Sequence, residues 1–249
     1  MKKLLLLMSM ILTISINAQT CFELFFSEYV EGSSQNKAIE VYNPTDATID
    51  LSNYTIDRYS NGATNSSAGG STNLTGMLAP GDVFVLTNGE TDATAQFGYC
   101  DPALIALGDM AEPNGSYPTP MHMNGNDAIV LTKNGEIIDV FGKVGEDPGT
   151  AWSDPTGTWW TNDHTLIRKQ TVLKGDENGT DSFDPSLEWD SLAENTWINL
   201  GSHICDCQNT SAINESKNIS YIMYPNPANA GESVIVSATE RIKKIEVIN

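Results

Sequence analysis

Residues 24–45 read LFFSEYVEGSSQNKAIEVYNPT, and they are the most informative part of the chain for its fold class. Two apolar runs flank a polar turn at residues 31–36, and Asn43-Pro44 ends the second run. The second run alternates with a period of two, which places Ile39 and Val41 on one face of a predicted strand. The stretch therefore predicts two neighbouring β-strands with one face toward a core, and it contains no catalytic motif.

The rest of the chain continues as short apolar runs that are separated by turn residues. Their β-branched and aromatic content predicts strands at residues 22–30, 37–43, 54–59, 83–87, 127–132, 137–141, 165–168 and 196–200. Asn134-Gly135 predicts a two-residue hairpin, and Pro80-Gly81 predicts a second tight turn. Many strands with almost no helix predict an antiparallel all-β sandwich or barrel.

Three other segments have their own predicted structure. Residues 101–110 predict the one helix, with Asp101 as its N-cap, Pro102 in the first turn and Gly108 near its end. Residues 61–73 are rich in Ser, Gly, Asn and Thr and predict a long mobile loop. Residues 112–126 predict a second loop, which contains three prolines and His122.

The order of these pieces resembles the bacterial lamin tail domain, an immunoglobulin-like β-sandwich. The resemblance covers about residues 24–200 and implies an accessory role, with no catalytic residues to transfer. Glu28, Glu40 and Asn43 occupy positions where that family favours acidic or amide side chains. They are interpreted either as a polar contact surface or, for Glu40 and Asn43, as residues that organise the strand end and the turn at Pro44. The supporting segments are residues 127–131, 135–142, 147–149 with Trp152, 165–169, Phe183 and 188–189.

The two ends of the chain predict export. Residues 1–18 are typical of a secretory signal, with Lys2 and Lys3 before an apolar run and Ala18 at the cleavage point. The sandwich is expected at residues 19–207 and a polar linker at 208–219. Residues 220–249, which contain YPNPA at 224–228, resemble the first strands of a small β sorting domain of the type IX secretion system in Bacteroidetes-type bacteria. That family continues further, so the sequence is expected to be truncated or degenerate there.

Charge limits the partners. The chain has 13 basic and 32 acidic residues, a net charge of −19, and such a surface repels nucleic-acid phosphates and anionic lipids. No later apolar stretch has membrane-spanning length, which predicts a soluble mature protein. The expected partners are the type IX secretion machinery, through the C-terminal segment, and an extracellular polymer or protein ligand.

Four cysteines follow the export signal, so disulfides are expected. Cys205 and Cys207 are separated only by Asp206, which makes their mutual bridge the least favourable of the pairings. A bridge from Cys21 to Cys205 or Cys207 would tie the domain ends together, while Cys100 lies between them in sequence. Zinc is disfavoured because no second close Cys or His pair is present. Cys21 also raises a lipoprotein hypothesis, which the preceding residues 18–20 do not support.

Two further groups of residues are candidate binding sites. Residues 176–181 (DENGTD) with Asp184 suggest calcium, although the spacing departs from the EF-hand pattern and a solvated acidic loop is favoured. The tryptophans suggest glycan stacking, with Trp159 and Trp160 as the best exposed candidates and core packing as the favoured interpretation. The five tryptophans are Trp152, Trp159, Trp160, Trp189 and Trp197.

Catalytic patterns are absent from the sequence. His122, His164 and His203 do not lie in a hydrolase or metalloprotease motif, and no nucleophile elbow or phosphate-binding glycine loop occurs. The sequence therefore predicts a non-enzyme without catalytic, cofactor-binding or metal-binding residues. The favoured function is an exported binding or structural module at the cell surface or in the medium. The alternatives are an accessory domain of a secreted nuclease or hydrolase, and a calcium-dependent adhesin or glycan-binding module.

Overall fold

The computed structural model describes residues 21–158, 160–209, 221–224 and 235–238. The predicted signal peptide, Trp159 and most of the predicted linker and sorting domain lie outside these residues. The chain divides into two compact units, residues 1–210 and 211–249.

The regular secondary structure described in the first unit is mainly β-strand. Its strands are β1 Phe25–Glu31, β2 Lys37–Tyr42, β3 Ile49–Asp50, β4 Tyr54–Tyr59, β5 Ser71–Asn73, β6 Met77–Leu78, β7 Val83–Thr87, β8 Met110–Ala111, β9 Ala128–Lys133, β10 Glu136–Phe141, β11 His164–Arg168 and β12 Trp189–Ala193. Two short α-helices are α1 Pro102–Ile105 and α2 Pro185–Glu188, and 3₁₀ turns cover Leu51–Asn53, Ser60–Gly62, Pro120–His122 and Asp206–Asn209. No described helix is long and apolar enough to cross a membrane.

These strands form two main sheets. The six-stranded sheet has the order β12-β11-β1-β2-β7-β8, and the four-stranded sheet has the order β10-β9-β4-β5. All pairs are antiparallel except β7 with β8, and β3 pairs with β6 separately. One apolar core takes residues from both sheets, including Phe26 and Ile39 from the first and Ile56 and Ile129 from the second. The predicted antiparallel β-sandwich is confirmed.

The six-stranded sheet is covered on both faces. Ile39 and Val41 face the central core, as the alternation in β2 predicted. Ala38 on the opposite face packs with Leu104 of α1 in a second apolar cluster. Tyr42, also on that face, belongs to a third cluster that contains Cys205. All residues of β1 and β2 are consequently buried.

Both predicted turns form. Asn134 and Gly135 have φ of 52° and 86° and join β9 to β10, with Lys133 opposite Glu136, as an Asn-Gly hairpin requires. In the second turn the amide of Asp82 donates to the carbonyl of Ala79 at 3.2 Å, and Gly81 has φ of 72°.

Three local predictions are wrong. Residues 196–200 form a turn, not a strand, and Ile198 is 86% exposed there. The helix ends at Ile105 instead of continuing to residue 110, because Met110 pairs with Leu86 as part of β8. Residues 61–73 are not one long loop, since Ser71–Asn73 pairs with β4.

Within the second unit, β13 Tyr221–Tyr224 pairs antiparallel with β14 Ile235–Ala238. Residues 225–228, which complete the YPNPA motif after Tyr224, lie outside the described residues, as do residues 239–249.

Candidate ligand-binding site

A cleft of about 440 Å³ opens at one end of the sandwich. Its walls come from the β1–β2 turn, the first residue of β2, the end of β4 and the loops before β9. The lining residues are Ser34, Gln35, Lys37, Arg58, Ser60, Asn61, Phe97, Tyr117, His122, Met123, Asn124 and Asp127.

The charged floor of the cleft follows from strand periodicity. Arg58 shares one face of β4 with Tyr54 and Ile56, and Lys37 shares one face of β2 with Ile39 and Val41, because alternate strand residues face the same way. Those apolar neighbours lie in the central core. The two cationic side chains therefore stand where the core ends and the cleft begins.

Each cation of the floor has a buried carboxylate partner. Lys37 Nζ lies 2.5 Å from Glu31 Oε1, and Arg58 Nη1 lies 3.1 Å from Asp127 Oδ2. Arg58 Nη1 also donates to the carbonyl of His122 at 2.8 Å. Burial raises the pKa of Asp127, and the Arg58 guanidinium opposes this shift. The floor is thus polar, while its charges are largely compensated.

One donor on this floor is unused. Arg58 is 7% exposed, and its buried Nε has no hydrogen-bond partner. A buried donor without a partner costs about 1–3 kcal/mol.

The rim of the cleft is aromatic and exposed. The rings of Phe97 and Tyr117 stack with centroids 5.2 Å apart, although they are 48% and 62% exposed. Tyr117 also meets His122 edge-on at 4.9 Å. Gln35 supports this rim, because its Nε2 donates to the carbonyl of Phe97 at 3.3 Å while its Oε1 accepts from Asn88 at 2.9 Å.

His122 is positioned as a neutral side chain. Its Nδ1 accepts a hydrogen bond from the Thr119 amide at 3.2 Å, so the ring proton lies on Nε2. Burial first, and then the Arg58 charge, lower the pKa of His122. The ring therefore contributes to the cleft as an uncharged aromatic and donor group.

Glu28, Glu40 and Asn43 are buried, so the interpretation of these residues as a polar contact surface is wrong. Asn43 Nδ2 donates to the carbonyls of Ala47 and Leu78 at 2.9 and 3.0 Å, which confirms that Asn43 organises the turn at Pro44. Glu40 has a different role, because it accepts from Ser27 Oγ and from the Gly201 amide, both at 2.7 Å.

Glu28 lies opposite Glu40 in the β1–β2 pair, and neither of its oxygens has a hydrogen-bond partner. Burial, with a smaller contribution from the Glu40 charge, raises the pKa of Glu28 to about 8. Glu28 is therefore mainly protonated at neutral pH.

The acidic loop uses its side chains in its own turns. Asp176 Oδ1 accepts from the Asn178 amide at 2.9 Å, Asn178 Oδ1 accepts from Thr180, and Asp184 caps α2 through the Ser186 amide at 3.0 Å. A groove of about 640 Å³ runs beside this loop. Within the described residues the only cluster of possible metal ligands is formed by cysteines, so the loop's carboxylates do not converge on one point. This arrangement therefore does not support the calcium hypothesis.

The described tryptophans, His164 and His203 do not line this cleft. Trp152 and Trp189 are core residues at 3% and 1% exposure, as the packing interpretation predicted. Trp160 is 44% exposed but lies outside the cleft. His164 is the first residue of β11, not a loop residue, and its Nδ1 lies 2.8 Å from the carbonyl of Asn162.

Phe97 and Tyr117 were not predicted as site residues, since both lie in loops without periodic pattern. Lys37 and Arg58 could have been recognised from the sequence, because each is a cationic residue on the same face of its strand as the apolar core residues. Such a residue marks a place where a core strand meets a polar end of the sandwich.

The cysteines also come together in the structure. Cys21 is joined to Cys207, with Cα atoms 5.8 Å apart, while Cys100 and Cys205 are buried free thiols. The bridge ties the two ends of the predicted domain together.

Comparison with known proteins gives one match. The family model described as Lamin Tail Domain matches residues 17–145, slightly more than half of the chain. No curated protein and no solved structure matches the chain significantly. The matched segment includes β1 to β10, and its antiparallel strands agree with the immunoglobulin-like architecture of that family. The chain therefore belongs to the lamin tail domain family.

Proposed function

We propose that this chain is an exported, non-catalytic binding module that holds an extracellular polymer in the cleft rimmed by Phe97 and Tyr117. The exposed stacked pair of rings carries the proposal. Large aromatic side chains that remain in water beside a polar cleft provide contact area for a ligand at low entropic cost. Membership in a family of immunoglobulin-like, non-catalytic domains supports a binding role over an enzymatic one.

The polymer that best fits this cleft is an uncharged polysaccharide. Sugar rings offer C–H faces that pack on aromatic rings, and hydroxyl groups that bond with amide and guanidinium donors such as Asn61 and Arg58. A strongly acidic polymer is disfavoured, because Glu31 and Asp127 already compensate the two cations of the floor and the net charge is −19. The same charge disfavours nucleic acid.

Affinity electrophoresis through gels that contain soluble neutral glucan, mannan or xylan tests the proposal. We expect the full chain to be retarded by at least one of these polymers. Tyr117→Ala and Phe97→Ala should each weaken binding about tenfold, since a lost aromatic contact costs about 1 kcal/mol or more. Trp160→Ala is the matched control, because it removes an exposed aromatic ring outside the cleft. Absence of retardation in all three gels, or loss of binding only in the Trp160 variant, would contradict the proposal.

We further propose that the chain reaches the cell surface or medium of a Bacteroidetes-type bacterium by type IX secretion. The signal-like residues 1–18 and the YPNPA motif at residues 224–228 support this route. In a native host that carries the complete gene, deletion from Lys217 onward should leave the protein in the periplasm. Comparison of periplasmic, surface and medium fractions checks this, and equal release of both forms would refute the sorting assignment.

A further inference from the structure

The structure gathers three of the four cysteines at one place. The sulfur atoms of Cys21, Cys205 and Cys207 all lie within 4.8 Å of one another. Cys21 and Cys207 form the disulfide, and Cys205 remains a thiol that is only 2% exposed. A buried thiol beside a disulfide is within reach of that bond but is shielded from reagents in solution.

Cys205 and Cys207 have similar surroundings. Cys205 Sγ contacts the carbonyl of Val172 at 3.4 Å, and Cys207 Sγ contacts the next carbonyl, that of Leu173, at 3.6 Å. The amide of Cys207 donates to Cys205 Sγ at 3.3 Å, which stabilises negative charge on that sulfur. Burial acts in the opposite direction and raises the pKa of the Cys205 thiol.

We propose that Cys205 is an internal exchange partner of the disulfide, so that Cys21 is bonded to Cys207 in one form of the protein and to Cys205 in another. In the exchange the Cys205 thiolate attacks Sγ of Cys21, and a Cys21–Cys205 bond forms as the Cys21–Cys207 bond breaks. Cys207 leaves as a thiolate and takes up the proton that Cys205 lost. One disulfide and one thiol are present before and after, so no oxidant or reductant is needed.

Attack on the other sulfur is less favourable. It would join Cys205 to Cys207 across the single residue Asp206, and the geometry that a disulfide requires is strained in so short a ring. The exchange is therefore directed to Cys21. The Cys21–Cys207 and Cys21–Cys205 forms both keep the N-terminal end of the sandwich bonded to the segment at residues 205–207.

Disulfide mapping of the unaltered full chain tests the proposal directly. The chain is incubated without added thiol, quenched in acid, alkylated under denaturing conditions and cut by an endoproteinase that cleaves before aspartate. Cleavage before Asp190 and Asp206 puts Cys205 in peptide 190–205 and Cys207 in peptide 206–249. We expect the Cys21 peptide bonded to each of them, in a ratio that does not change with protein concentration. Detection of the Cys21–Cys207 linkage alone would overturn the proposal.

Variants provide a second, independent measurement by thiol titration in denaturant. Cys207→Ser should show a single thiol, that of Cys100, because Cys21 is then bonded to Cys205. Cys205→Ser should also show one thiol, and the double variant should show two. Three thiols in Cys207→Ser would refute the exchange. If that variant fails to fold, the peptide mapping of the unaltered chain decides alone.

Discussion

Glu28 is a carboxylic acid enclosed in the six-stranded sheet, and its raised pKa has a consequence for stability. The folded protein keeps the proton up to about pH 8, whereas an unfolded chain releases it near its ordinary pKa. Between these two values the folded state binds more protons, so stability is lost as pH rises, by up to about 1.4 kcal/mol per pH unit for one group.

Glu28→Gln should remove this contribution, because the amide stays neutral at every pH. We expect the variant to lose less unfolding free energy than the parent between pH 5 and pH 8, as measured by urea denaturation. The matched control is Glu194→Gln, since Glu194 is exposed. If Glu28→Gln and the parent decline by the same amount, Glu28 is not a protonated buried acid.

Asp139 joins the two sheets at the opposite end of β1 from the cleft. It receives Arg168 Nη1 at 3.1 Å and the amides of Phe26, Val140 and Asp176 at 2.7, 2.9 and 2.8 Å. Both side chains of the ion pair are almost fully buried. Removal of the Asp139 carboxylate would leave three amides without their acceptor, and Arg168 would keep only the half-exposed Glu188 as its charge partner.

Asp139→Ala should therefore lower the unfolding free energy by about 3–5 kcal/mol. Glu188→Ala is the matched control, because Glu188 also contacts Arg168, at 2.6 Å, but its side chain is 46% exposed. Its loss should cost about 1 kcal/mol or less. Guanidinium denaturation of both variants measures the difference, and similar losses would contradict the structural role of Asp139.

At the scale of elements, the sequence predicts strands well where apolar residues alternate and turn residues flank them. The bounds predicted for β4 and β7 are those observed, whereas β10 begins one residue earlier than predicted and β9 is shifted by one residue at each end. The edge strand β12 was not predicted, because its exposed polar residues resemble a loop. The strand wrongly predicted at residues 196–200 shows the converse, since Trp197 and Leu200 pack against the second apolar cluster without joining a sheet.

The candidate site was less predictable than the strands. Phe97 and Tyr117 are distant in sequence and lie in loops, so only the folded chain brings their rings together. The interpretation of Glu28, Glu40 and Asn43 as a polar contact surface rests on the family's preference for acidic or amide side chains at these positions, and that preference does not report burial. The layer that buries them comes from remote segments, such as the one around Gly201 that bonds with Glu40, and no local pattern reports it.

The hairpin between β9 and β10 permits a test at this scale. Gly135 has φ of 86° and open space around its Cα, so an added methyl group would be strained by backbone conformation alone. Gly135→Ala should cost about 1–2 kcal/mol. In Gly179→Ala the new methyl group would make ordinary contacts at 3.4–3.5 Å, and little change is expected. Equal melting temperatures for the two variants would contradict the turn assignment.

At the scale of the whole molecule, the sandwich extends beyond the segment that the family model matches. Residues 17–145 lack β11 and β12, and therefore lack one of the two partners of β1 in the six-stranded sheet and the Arg168 partner of Asp139. A chain of residues 19–145 should not unfold cooperatively on heating, whereas a chain of residues 19–209 should melt near the temperature of the full chain. Circular dichroism measures both transitions.

Loss of the disulfide is a separate effect, and it has its own control. Cys21→Ser in the chain of residues 19–209 removes the bridge but keeps every strand of the sandwich. This variant should still melt cooperatively, with a stability loss of about 2–5 kcal/mol. A cooperative transition in residues 19–145, at the temperature of this control, would show that β11 and β12 are dispensable.

The bond between Cys21 and Cys207 also determines how the domain carries mechanical load. A pull applied between the chain before Cys21 and the chain after Cys207 passes through a covalent connection whose Cα atoms are 5.8 Å apart. The strands between these residues lie outside that path and bear little tension. Under a stretching force the domain would thus stay folded. Its cleft would keep its shape while the segments outside the disulfide are extended.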